Sequence, residues 1–169
     1  MDTSITNVII SVVLSSITAL LTTLWLNYSK KKDETNSLKL ALKTELQTIQ
    51  TLYYQLKLSN EPPKNGDDIK VISLKSKYTT VYTNNADKIG LLNPEVAKAV
   101  VLAYTYIAAF MDTLRVYGQR WEDMIKYQRT GQNQYMEYYL KDVKRCYDFA
   151  MTEEEIVRGV IAKAIDKLN

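Results

Sequence analysis

The chain has 169 residues, a net charge of +3, one cysteine, no histidine, five glycines and three prolines. Without histidine there is no imidazole base, no Ser-His-Asp triad and no imidazole metal site, and a single cysteine excludes an intrachain disulfide. So few helix-breaking residues disfavour a β-rich fold and favour long helices.

The first element is an apolar stretch, Ile5 to Leu26, with no charged side chain, closed by Lys30, Lys31 and Lys32. At a rise of about 1.5 Å per residue a helix of this length matches the roughly 30 Å hydrocarbon core of a bilayer. A cleaved signal peptide needs a basic start, a shorter core and a small-x-small cleavage site, and none of these is present. The sequence therefore predicts an uncleaved anchor over residues 1–29 and a cytoplasmic domain over residues 30–169. The lysines follow the span and none precede it, so the N-terminus is expected outside the cell membrane. Trp25 and Tyr28 sit where interfacial anchors belong.

The span is rich in hydroxyls. Ser4, Ser11, Ser15, Thr18 and Thr22 fall on one narrow arc of a helix. Small residues on one face let helices approach closely, so these five predict self-association within the membrane. The simpler reading is that each hydroxyl bonds its own helix's carbonyl four residues back.

Downstream, Leu38, Leu42, Leu46, Ile49, Tyr53 and Leu56 recur at helical spacing and predict an amphipathic helix over 33–58, free to continue from the anchor without a break. Pro62, Pro63, Asn65 and Gly66 mark a loop over 60–68. Residues 69–86 permit a short helix ending near Asn84 and Asn85, after which Ile89, Leu91 and Leu92 are expected to plug into the core. Asn93-Pro94-Glu95 is a helix start, with a cap, a proline in the first turn and an acid beside it. From Val96 the 3–4 spacing runs through Ile107, Phe110, Tyr117 and Trp121 to about Thr130, where Gly131 stops it. A last helix carries Tyr139, Val143, Tyr147, Ala150, Val157, Ile161, Ala164 and Leu168 in one phase, with Glu154 in an apolar slot and a possible new cap at Thr152. The fold expected is all-α: a single N-terminal membrane helix, then an elongated antiparallel bundle of three long helices and one short one.

The run Tyr82 to Glu95, with Asn85, Lys88, Ile89, Gly90, Leu91 and Leu92 at its centre and Tyr104 beyond, resembles an element of small bacterial membrane-anchored helical proteins of unknown function. The resemblance implies a bacterial or phage-related source, a cell-membrane location and no particular chemistry.

Tyrosine dominates the aromatic content, 13 against two phenylalanines. Arg115, Tyr117, Arg120, Trp121, Tyr127, Arg129, Tyr135 and Tyr138 gather at the expected hairpin tip, and these residue types dominate protein-interface hot spots. They are the candidate partner-binding residues. Tyrosines filling a thin bundle, each hydroxyl reaching water at the rim, would produce the same clustering. No phosphate loop, metal-ligand spacing, cofactor motif or basic stripe for nucleic acid is present. The sequence thus predicts a non-enzymatic, membrane-anchored adaptor or scaffold that self-associates and binds a cytoplasmic protein. The alternative is an effector of a phage-defence, superinfection-exclusion or toxin-like system acting on the bilayer.

Overall fold

The computed structural model describes the backbone of residues 3–56, 79–130 and 135–169, and the side chains of 16–53, 79–130 and 135–169. These residues are all-helical. The elements are α1 (Thr3–Leu56), α2 (Thr80–Asn84), a 3₁₀ segment (Ala86–Leu91), α3 (Pro94–Arg129) and α4 (Met136–Lys167). The chain divides into two compact units, residues 1–39 and 40–169.

In the first unit α1 runs without interruption from Thr3, as expected of a helix free to continue from the anchor. The helix carries no glycine or proline that could stop it. The 60–68 loop and the Gly131 stop lie outside the described residues. Among those residues, the helix long and apolar enough to cross a membrane is α3. Within the second unit, however, α3 buries one face in the bundle.

The second unit is built on an antiparallel α3–α4 pair. Asn93 starts α3 as the sequence predicts: its Oδ1 accepts from the Glu95 amide at 3.0 Å, with Pro94 at the first helical position. Val100, Ala103, Ile107 and Phe110 on α3 and Val157, Ile161 and Ala164 on α4 are buried as the 3–4 spacing requires. Tyr117 faces Tyr147, and Arg120 faces Asp142, which fixes the register of the pair.

The second half of α1 packs on this pair through Leu42, Leu46, Ile49 and Tyr53, all buried. Glu45 meets Tyr104, and Tyr53 meets the edge of Phe110 at 5.3 Å. At the other flank, the Lys43 ammonium donates to Asn169 Oδ1 at 2.6 Å, and Tyr53 feels the field of Glu154. Going up α1 therefore means going up α3 and down α4. This half of α1 runs parallel to α3 and antiparallel to α4, which corrects the expectation of a wholly antiparallel bundle. The reason is that α3 does not follow α1 directly: α2 and the 3₁₀ segment lie between them in sequence.

Two smaller expectations also resolve. Ile89 and Leu92 are buried, with Leu91 half-buried, forming the predicted plug. The new cap at Thr152 does not form. Its hydroxyl donates back to the Asp148 carbonyl at 3.0 Å, and α4 runs on unbroken.

Candidate functional sites

In the first unit every described residue from Ser16 to Tyr28 is exposed on α1. Among them are Ile17, Leu20, Leu21, Leu24, Trp25 and Leu26, each about half to two-thirds uncovered. Of the hydroxyl arc, Ser4, Ser11 and Ser15 lie outside the described side chains. Thr22 donates its hydroxyl to the Thr18 carbonyl at 2.8 Å, and the neighbouring Thr23 does the same to Ala19 at 2.9 Å. Both protons are used within the helix, which is the simpler of the two readings of such hydroxyls. What Thr22 still offers a neighbouring helix is an acceptor oxygen and a small side chain.

In the second unit the eight candidate partner residues separate into buried and exposed groups. Tyr117 and Trp121, at 8% and 4% exposure, form a core cluster with Met124, Val143 and Tyr147. They correct the sequence expectation, because a buried ring offers no surface to a partner. Both already belonged to the apolar stripe of α3, and burial there claimed them. Burial pushes the Tyr117 phenol up to about 12, with the nearby Tyr147 adding to the shift.

Arg120 Nε pairs with Asp142 Oδ2 at 3.2 Å and ties α3 to α4. Arg115 reaches Asp112 one turn earlier at 3.4 Å, both ends well exposed, so the pair adds little stability. Tyr127 stacks on Tyr139 with ring centres 4.5 Å apart, and Tyr138 meets Tyr139 edge-on at 5.5 Å. The hydrogen bond with Tyr127, aided by desolvation, pushes the Tyr139 phenol up to about 12. Tyr135 and Tyr138 remain exposed, Tyr138 at 68%, and Arg129 is exposed in the last turn of α3. Of the eight, Arg115, Arg129, Tyr135 and Tyr138 are exposed and Tyr127 is half-buried.

Two features escaped the sequence, and a third was legible only in part. An open groove of about 700 Å³ runs between α3 and α4, with Val116 and Phe149 as its exposed apolar members. Cys146 lines it half-buried against the core cluster, where burial, ahead of the Asp142 charge, raises its thiol. A raised thiol is a weak nucleophile, and its place is a helix interface.

The second feature is Glu45. Its two carboxylate oxygens accept from the backbone amides of Val81, at 2.6 Å, and Tyr82, at 3.1 Å. The Tyr104 hydroxyl donates to the same carboxylate at 2.6 Å, and Tyr104 stacks on Tyr82 with centres 4.1 Å apart. Glu45 thus caps α2 from a different helix and fixes α2 against α1 and α3. Burial, then this hydrogen bond, holds the Tyr104 phenol far above its ordinary range.

The third is Glu154, 7% exposed on α4 and paired with Arg158 one turn on. The sequence placed Glu154 in an apolar slot, and the structure buries it there; its pairing with Arg158 was not legible.

No protein-family model, no curated protein and no solved structure matches this chain.

Proposed function

We propose that this chain is a single-pass, membrane-anchored helical adaptor. Residues 1–29 cross the cell membrane with the N-terminus outside, and residues 30–169 form a cytoplasmic bundle. The span self-associates through the Ser4, Ser11, Ser15, Thr18 and Thr22 arc. The bundle takes a protein partner on the Arg115, Tyr127, Arg129, Tyr135 and Tyr138 surface.

The observation that carries this reading is the uncovered apolar face of α1. Ile17, Leu20, Leu21, Leu24 and Leu26 are all exposed on a helix that continues into Lys30, Lys31 and Lys32. Fully burying one such side chain is worth about 1.5–3 kcal/mol, so leaving all five in water forgoes on the order of 10 kcal/mol. Lipid hydrocarbon supplies the missing cover, and the lysines then meet anionic headgroups on the inner face.

Topology is tested on the full chain in bacterial cells, in a Cys146→Ser background. Asp2→Cys should react with a membrane-impermeant maleimide in intact cells, and Asn169→Cys only after permeabilisation. The reverse pattern, or recovery of the protein in the soluble fraction, refutes the assignment. For assembly, Ser11→Leu with Ser15→Leu should lower the oligomeric state on native gels.

The effector reading draws on the same hydroxyl arc, as a polar seam across the bilayer. The Thr22 and Thr23 bonds to their own helix weaken it. Strong induction without loss of membrane potential, with or without phage, separates the adaptor from the effector.

A further inference from the structure

We draw no further inference here: the strongest candidate, the open apolar groove between α3 and α4 that Val116 and Phe149 line, carries none because nothing in the structure shows what covers it.

Discussion

Glu45 gives the sharpest test of how the second unit is held together. One carboxylate receives the Tyr104 hydroxyl and two amides at the start of α2. A hydrogen bond to a charged group is worth about 1.5–3 kcal/mol. In Glu45→Ala the α2 amides, at the edge of the unit, recover water, so most of the loss falls on the Tyr104 bond. We expect a cost of about 2–3 kcal/mol, or a Tm fall of roughly 6–12 °C at about 3–4 °C per kcal/mol for a unit of this size. Tyr104→Phe keeps the ring stack and removes only the donor, at about 1–1.5 kcal/mol. The double variant should fall short of the sum of the single costs by about 1 kcal/mol. Helical ellipticity of the full chain in detergent, followed against temperature, reads all three. A Glu45→Ala protein within about 0.5 kcal/mol of the parent, or no coupling with Tyr104→Phe, would show that the carboxylate does not clamp α2.

Three further outcomes follow from the buried groups. Trp121→Ala should destabilise by about 3–5 kcal/mol, read by thermal unfolding, whereas Tyr138→Ala should change stability by less than about 0.5 kcal/mol. Glu154→Ala removes the ion pair with Arg158 and should cost about 1–3 kcal/mol. Glu154→Leu with Arg158→Met, which removes both charges, should return stability to within about 1 kcal/mol of the parent. In alkali the raised Tyr117 phenol must stay protonated for the fold to keep its full stability. Its contribution is complete below pH 10, the ordinary tyrosine value, and is lost as pH rises through about 12. Far-UV circular dichroism across pH 9–12.5 should show the transition moving upward in Tyr117→Phe.

Regular spacing made the helices legible. The stripe from Leu38 to Tyr53, the Asn93-Pro94 start and the single phase of α4 each reflect a local rule, and each appears in the structure. Pairing between distant elements was not legible. Nothing within 33–58 states that α1 runs parallel to α3, because helical periodicity gives a face and no direction. Glu45 carried no signal in the sequence, since its partners lie on other elements, and Glu154 stood out only as an acid in an apolar slot. Tyr117 and Trp121 satisfied two patterns at once, an apolar stripe and an aromatic cluster. The stripe prevailed because an indole or phenol ring in the core buries more area than one on the rim.

The bond between Lys43 and Asn169 has a consequence for synthesis. It joins the early part of the bundle to its latest part, beside Ile161, Ala164 and Leu168, which are buried at the end of α4. During translation, α1 and α3 can meet while α4 is still in the ribosome, but their shared apolar faces stay open until the last turn of α4 emerges. On the proposed topology the nascent chain is by then already fixed in the bilayer. Closure of the bundle would thus take place at the membrane surface, among neighbouring copies whose α4 helices could fill the same vacancy. Shortening α4 by one turn should therefore favour exchanged, interlinked assemblies over well-separated bundles.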